Sequence, residues 1–174
     1  NGQTWTSSEM VPNNTDIVTQ EPGLIEMKDG RVMMYIRASG GFQQLSYSSD
    51  RGKTWSAIET SNIPSPLSPA TIEKVPGSED WLLVWNNNDG SDPDLQGKRT
   101  PLTAAISSDE GKSWNFIKNI EEDPDGWYCY ISIHFVDEDN VLLGYCAGNR
   151  PAGTSLSVTH VTHIPVDWLY QPSN

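Results

Sequence analysis

Four side chains could carry chemistry on a charged substrate: the carboxylate of Glu21, the guanidinium groups of Arg37 and Arg99, and the phenol of Tyr130. All four lie in loops or at the ends of predicted strands, where functional groups are commonly presented. Guanidinium groups bind carboxylates through paired hydrogen bonds. A phenol has an ordinary pKa of about 10, so it needs a carboxylate and cations nearby before it can react at neutral pH. These four are therefore the primary candidate site residues.

Glu21 and Arg37 have the clearest reason to meet. Arg37 ends an otherwise apolar strand, Val32–Ile36, where its charge needs a partner. Glu21 lies just before the preceding strand, so pairing of the two strands in a hairpin brings both residues to one rim. A plain salt bridge across the hairpin explains the same pattern, and both interpretations stay open.

Two further residues are secondary candidates. Tyr128 competes with Tyr130, because alternation along one strand places both side chains on the same face; Tyr130 is preferred. Arg150 lies in a loop bounded by Gly and Pro, where it can contact a substrate. The stretch Asn86–Asp89 either lines a sugar site or forms a turn.

The residues of metal-binding or redox type form no recognisable motif. Cys129 and Cys146 fit no metal-ligand spacing, although a hairpin can bring them face to face. A disulfide and two free thiols both stay open, with free thiols preferred. The histidines are too dispersed to predict a metal site, namely His134, His160 and His163. We expect no metal and no other cofactor.

An internal repeat identifies the elements that must position these residues. Ser48–Trp55 reads Ser-Ser-Asp-Arg-Gly-Lys-Thr-Trp, and Ser107–Trp114 repeats it as Ser-Ser-Asp-Glu-Gly-Lys-Ser-Trp. A truncated copy occupies residues 1–5, and the three tryptophans are 50 and then 59 residues apart. Asp and Ser side chains bond to nearby backbone N–H groups and Gly supplies positive φ, so the motif predicts a hairpin turn. Its Trp then packs back onto the sheet, and its Asp receives no catalytic role.

Short strands fill the intervals between these turns. No segment shows a helical period over ten or more residues. The predicted strands are Leu24–Met27, Val32–Arg37, Gln44–Ser48, Ser56–Thr60, Ala70–Val75, Trp81–Asn86, Leu102–Ser107, Asn115–Ile120, Tyr130–Val136, Val141–Cys146 and Leu156–Ile164, with a final segment at Val166–Tyr170. The fold class is therefore all-β.

Composition excludes several classes of function. The 174 residues contain 11 Lys and Arg against 23 Asp and Glu, a formal net charge of -12. This balance argues against a nucleic-acid partner, because phosphate contacts need clustered cations. No apolar run approaches the roughly 20 residues that span a membrane. The chain opens at Asn1 without Met, so we expect that the original N-terminus has been removed.

The repeat and the candidate residues together resemble the sialidase superfamily. The repeat is similar to the Asp-box (BNR repeat) of sialidases and other propellers, where it joins the third and fourth strands of a blade away from the active-site face. Glu21, then Arg37 after 16 residues, Arg99 and the stretch Tyr130–Ile133 stand in the order that this family shows. The resemblance implies three four-stranded blades of a normally six-bladed sialidase-type β-propeller. Residues 1–174 would form its C-terminal half, in a divergent branch.

The resemblance also implies a role for each candidate residue. Tyr130 becomes the nucleophile and Glu21 the base that draws its phenolic proton. Arg37 and Arg99 become two of the three arginines that bind the substrate carboxylate. A neutral oxygen nucleophile suits a sugar whose anomeric carbon bears a carboxylate, because Asp or Glu would be repelled. The first arginine and an aspartate acid/base would belong to N-terminal blades, and Cys146 stands where many sialidases have Glu.

The expected function is that of an exo-acting, retaining sialidase-like glycoside hydrolase that acts on terminal acidic sugars of glycoconjugates. Two alternatives stay open: a non-catalytic carbohydrate-binding propeller, and a hydrolase of another, uronic-type acidic sugar. The presence of both Glu21 and Tyr130 favours an enzyme, because a lectin needs the arginines but not that pair. We expect the parent protein to be an enzyme and the 174 residues alone to be inactive. The resemblance implies a secreted or periplasmic location.

Three blades cannot close a ring, so the two outermost faces need a partner. Missing N-terminal blades or a second copy of the chain would supply it. We expect each open face to expose apolar side chains. The expected contributors are Leu24, Ile25, Val32, Met34 and Ile36 at one end, and Ile133, Phe135, Leu142 and Val158 at the other.

Overall fold

The computed structural model describes residues 2–172 and contains three antiparallel sheets. The first sheet pairs β1 (Thr19–Glu26), β2 (Val32–Ala38), β3 (Phe42–Ser48) and β4 (Glu59–Pro64) in chain order. The second sheet pairs β5 (Thr71–Lys74), β6 (Trp81–Asn86), β7 (Leu102–Ser107) and β8 (Asn115–Glu121), also in chain order. The third sheet has the order β11-β10-β9, from β9 (Gly126–Phe135), β10 (Asn140–Asn149) and β11 (Thr159–Pro165). Up-and-down sheets stacked in sequence are propeller blades, so the predicted fold class is confirmed.

The third sheet ends differently from the other two. Its described residues form three strands, and the segment that follows β11 forms the short helix α1 (Val166–Leu169) instead of extended chain. Val166 and Leu169 are three residues apart and both buried, so one face of this turn packs into the core. A helix of one turn is too short to produce a detectable period in the sequence. No helix within residues 2–172 is long and apolar enough to cross a membrane.

The second sheet lies between the other two and has both faces covered. Along β6, Trp81, Leu83 and Trp85 belong to the core shared with the first sheet. Leu82 and Val84, which point the opposite way, belong to the core shared with the third sheet. Every residue of this strand is therefore buried.

The two complete Asp-boxes form equivalent turns between the third and fourth strands of their sheets, as predicted. In the first, the Asp50 carboxylate accepts hydrogen bonds from the Thr54 N–H at 2.9 Å and the Thr54 hydroxyl at 2.7 Å. In the second, Asp109 accepts the same two bonds from Ser113, at 2.8 and 2.6 Å. The truncated copy behaves differently, because its Trp5 is 87% exposed instead of packed on a sheet.

Most of the apolar residues expected on the open face of the first sheet are buried. They are Ile25, Met34 and Ile36. Ile25 lies in the core between the first two sheets, and the other two line a groove with Val11 of the N-terminal segment. Backbone hydrogen bonds hold this segment at residues 9 and 12 against residues 53 and 58. Leu24 alone of the expected set is largely exposed, at 56%, while Val32 is half-buried. At the other end Val158 is exposed, whereas Ile133, Phe135 and Leu142 are half-buried.

Candidate active site

Glu21 projects from a bulge in β1. Gln20 pairs with Arg37 and Pro22 pairs with Ile36, so Glu21 has no partner residue in β2. Its φ of 38° lies in the left-handed region that residues other than Gly rarely adopt. A bulge frees the extra residue from the ladder and re-aims its side chain. The Glu21 carboxylate meets the Arg37 guanidinium here, with 2.5 Å between Oε2 and Nη1.

Tyr130 lies on a second bulge, in β9. Between the paired positions Cys129–Cys146 and Ser132–Gly144, β9 contains two residues and β10 only one. Tyr130 has a φ of 57°, so it also holds a left-handed conformation. Its side chain is 44% exposed, which leaves the phenol accessible to a ligand.

The two bulges bring Glu21 and Tyr130 together across 109 residues of sequence. The Tyr130 hydroxyl donates a hydrogen bond to Glu21 Oε1 at 3.4 Å. The Glu21 carboxylate therefore accepts a hydrogen bond from Tyr130 at Oε1 and from Arg37 at Oε2. The salt bridge considered as the alternative explanation is present, and the contact required for the nucleophile–base pair is present beside it. The catalytic roles themselves stay a prediction.

The arginines carry hydrogen-bond donors that no described residue satisfies. Nε of Arg37 and Nη1 of Arg99 are buried and have no acceptor within residues 2–172. Burial works to lower the pKa of Arg37, but the hydrogen bonds and charges of Glu21 and Tyr130 outweigh it and leave the pKa raised. Buried N–H groups without acceptors are unfavourable. An anion bound beside Tyr130 could supply the missing acceptors.

Aromatic contacts hold the second arginine at the phenol. The guanidinium carbon of Arg99 lies 5.6 Å from the centroid of the Tyr130 ring and 4.9 Å from that of Trp127. The guanidinium carbon of Arg150 lies 4.4 Å from the Trp127 centroid. All three distances are within the range of cation–π attraction, about 6 Å. Trp127 thus connects Arg150 to the site, and it was not among the residues predicted from the sequence. The sequence feature that could have identified it is a Trp three residues before the candidate nucleophile Tyr130.

The backbone of Arg99 is fixed by its neighbours. It forms a parallel bridge with Trp127, and its carbonyl oxygen accepts a hydrogen bond from the Tyr128 N–H at 3.0 Å. Within the loop that precedes it, the buried side chain of Asn88 donates to the Leu95 carbonyl oxygen at 2.7 Å. Asn88 therefore organises this loop, which favours the turn interpretation of this stretch.

Tyr128 faces the protein interior. It packs against Tyr145 with the two rings edge to face and their centroids 6.3 Å apart. The prediction that Tyr128 and Tyr130 share a face is wrong, because the bulge at Tyr130 breaks the alternation of β9. Burial raises the pKa of the Tyr128 phenol. A phenol in the core is poorly placed to meet a substrate.

The remaining candidates make ordinary contacts. His160 Nδ1 lies 3.2 Å from the Glu121 carboxylate, and His163 Nε2 lies 2.9 Å from Asn140 Oδ1. Both cysteines are free thiols. Within residues 2–172, no group of three or more His, Cys, Asp or Glu side chains is arranged to hold a metal ion.

Several solved structures with a similar fold are sialidases or trans-sialidases. An intramolecular trans-sialidase from Ruminococcus gnavus, in complex with oseltamivir carboxylate, is 20% identical with a TM-score of 0.73; the match covers 98% of this chain and 37% of that one. The NanB sialidase from Streptococcus pneumoniae is 20% identical with a TM-score of 0.68, over 94% of this chain and 25% of that one. A Trypanosoma rangeli sialidase in complex with 2,3-difluorosialic acid, as a covalent intermediate, is 15% identical with a TM-score of 0.63, over 97% and 26%. The chain therefore has the fold of a sialidase-type propeller and spans well under half of these proteins.

The sequence also matches a family model over most of its length. Residues 1–143 match the model of the BNR repeat-like domain, and the chain belongs to that family. A search of curated proteins found no match.

Proposed function

We propose that this chain supplies part of the active site of an exo-acting, retaining sialidase-like glycoside hydrolase whose substrate is a terminal acidic sugar. The observation that carries the proposal is the hydrogen bond from the Tyr130 hydroxyl to Glu21 Oε1, at 3.4 Å, between two residues on separate bulges. Support comes from the R. gnavus and T. rangeli structures, which are described as complexes with oseltamivir carboxylate and 2,3-difluorosialic acid.

Tyr130 acts as the nucleophile in this mechanism. Its hydroxyl oxygen forms a bond to the anomeric carbon while the bond from that carbon to the leaving group breaks. The phenolic proton passes to Glu21, and the leaving oxygen takes a proton from a separate general acid. The distance of 3.4 Å is long for proton transfer, but catalytic hydrogen bonds tighten when substrate binds. Water then attacks the anomeric carbon and gives its proton to the group that acted as general acid. The bond to Tyr130 breaks, and the phenolic oxygen recovers its proton from Glu21, so the configuration is retained.

Arg37 and Arg99 bind the carboxylate of the sugar. Each has a buried N–H group without an acceptor, and a carboxylate offers two oxygens to such donors. A carboxylate nucleophile in this place would be repelled by the acidic sugar, whereas a phenol approaches as a neutral group.

A non-catalytic binding module explains less of the geometry. Recognition of an acidic sugar requires the arginines alone. It does not require a carboxylate on the phenol, or left-handed backbone at both residues. Conformations of this kind cost about 1–3 kcal/mol each and are concentrated at functional sites. We therefore favour catalysis over binding alone.

Covalent labelling with 2,3-difluorosialic acid tests the proposal. Fluoride leaves without needing a proton, so labelling does not depend on the general acid. Incubation of the full chain at high reagent concentration should give one sialyl adduct, which peptide mass spectrometry places on Tyr130.

Matched variants make the result specific. Tyr130→Phe should abolish the adduct, Glu21→Gln should slow its formation, and Tyr128→Phe should leave the adduct in place. Saturable binding of sialic acid without any adduct on Tyr130 would support a binding module instead. An adduct formed with a fluorinated uronic acid but not with the sialic acid would change the substrate class.

A further inference from the structure

Cys129 and Cys146 lie directly opposite each other in the register of β9 and β10. The residues just before them, Tyr128 and Tyr145, pack together on one face of the sheet, so the two cysteines share the other face. Directly opposed residues of an antiparallel pair have Cα atoms about 4.5 or 5.5 Å apart. Both values lie inside the Cα separation of disulfides, about 4.4–6.8 Å.

We propose that Cys129 and Cys146 form a redox-active dithiol that small-molecule disulfides oxidise to an intrachain disulfide. The proposal is independent of the glycosidase function. Both sulfurs are free thiols, so the reduced half of the couple is already in place. Opposed strand positions hold their Cβ atoms about 4.5–5.5 Å apart, so reaching the Cβ separation of a disulfide, about 3.5–4.5 Å, requires only a small approach of the two strands.

The two thiols differ in access, which sets the order of the exchange steps. Cys129 is fully buried and Cys146 is half-buried. Cys146, as thiolate, attacks one sulfur of the oxidant, forms a mixed disulfide and releases one thiol. Cys129 then attacks the Cys146 sulfur, and the second thiol leaves. Two protein protons and two electrons pass to the oxidant, which leaves as two thiols.

The surroundings of Cys129 place this pair next to the candidate site. Burial raises the pKa of the Cys129 thiol, and the neighbouring Arg99 guanidinium opposes that effect. Cys129 directly precedes Tyr130, and the bond to Cys146 would close the ladder at the edge of the Tyr130 bulge. Oxidation would thus fix one side of the bulge from which the phenol projects.

Mass spectrometry of the full chain in glutathione buffers tests the proposal. Oxidised glutathione should lower the mass by about 2 Da, and dithiothreitol should reverse the change. Cleavage after Glu138 separates the two cysteines into different peptides, because this residue lies in the turn between β9 and β10. The peptides should stay linked without reductant and separate with it.

Single variants provide the control. Cys129→Ser should leave Cys146 as a stable glutathione adduct, since the resolving thiol is absent. A stable glutathione adduct on the unmodified chain, a disulfide-linked dimer, or two untouched thiols in oxidised glutathione would each overturn the proposal.

A second measurement locates the effect without any variant. In ¹H–¹⁵N spectra, oxidation should shift the Tyr130 amide and the Arg99 side-chain Nε signal. The Asp50 amide, in the first Asp-box turn, should stay unchanged. Equal shifts at Asp50 and Tyr130 would indicate general rearrangement and contradict a local bond.

Discussion

Tyr130 and Glu21 hold backbone conformations that side chains normally avoid, and they do so in contact with each other. Nothing in either residue type favours positive φ. The conformations are imposed by the strand register on both sides of each bulge, which leaves one residue unpaired. At the scale of single residues, the site is therefore made by two local exceptions to strand geometry. Each exception directs a polar group away from the ladder.

Trp127 gives a test of how Arg99 is positioned. Trp127→Ala should weaken binding of a sialic acid such as N-acetylneuraminate about two- to fivefold, because Arg99 loses a cation–π partner worth about 0.5–1 kcal/mol. Trp127→Phe keeps an aromatic face and should lose less. NMR titration of the two variants against the unmodified chain measures the difference. Unchanged affinity in Trp127→Ala would show that other contacts hold the guanidinium.

The candidate site could be predicted in part from the sequence. The residue types and order of Glu21, Arg37, Arg99 and Tyr130 are visible there, and the structure brings them together. The bulges could not be predicted, because register between strands depends on residues far apart in the chain. For the same reason strand alternation placed Tyr128 beside Tyr130.

At the scale of elements, the strands with the strongest local signals were predicted to the residue. β6 and β7 are short, rich in apolar residues and buried on both faces, and their observed bounds equal the predicted ones. β4 begins three residues later than predicted and extends to Pro64. Its start depends on the preceding turn: the Ser56 N–H bonds back to the Tyr47 carbonyl before the fourth strand begins. Tertiary pairing, and not composition, sets that boundary.

The Asp-box turns predict a specific dependence of stability on pH. Hydrogen bonds from Ser113 lower the pKa of Asp109 to about 2, and those from Thr54 and Ser48 lower that of Asp50 to about 2. An unfolded Asp has a pKa of about 3.9, so the unfolded chain binds the proton first as pH falls. The stabilisation is therefore complete above about pH 4 and is lost between about pH 4 and 2.

Asp109→Asn should remove this contribution. At pH 7 its urea midpoint should lie below that of the unmodified chain, and the gap should narrow as the pH falls below about 4. Asp50→Asn should behave alike, whereas Asp16→Asn, at an exposed position of the N-terminal segment, should leave the midpoint unchanged. If the difference between the two urea midpoints stays constant down to about pH 2.5, the loss of stability comes from the different hydrogen bonding of Asn and not from the lost charge of Asp109.

At the scale of the whole molecule, the candidate site is a cluster of positive charges in an acidic protein. The chain carries a net charge of -12, yet Arg37, Arg99 and, through Trp127, Arg150 gather around one phenol. Such a cluster of guanidinium groups in an acidic protein favours the binding of an anionic ligand at this site. Glu21 and Arg37 lie on the first sheet, Arg99 lies just before β7 of the second, and Tyr130 lies on the third, so the stacking of three successive sheets assembles the site.

Turnover by the isolated chain is the last prediction. Retaining hydrolysis needs a nucleophile and also a general acid that protonates the leaving oxygen. Within residues 2–172, the carboxylate that contacts Tyr130 is Glu21, and it is already shared between the phenol and Arg37. The chain should therefore hydrolyse a fluorogenic sialoside negligibly at every pH while still accepting the covalent label, which needs no acid. Turnover and labelling are measured on the same preparation, with Tyr130→Phe as the background. Robust turnover that rises with the square of chain concentration would mean that two copies complete the site, and turnover linear in concentration would mean that one copy already contains the acid.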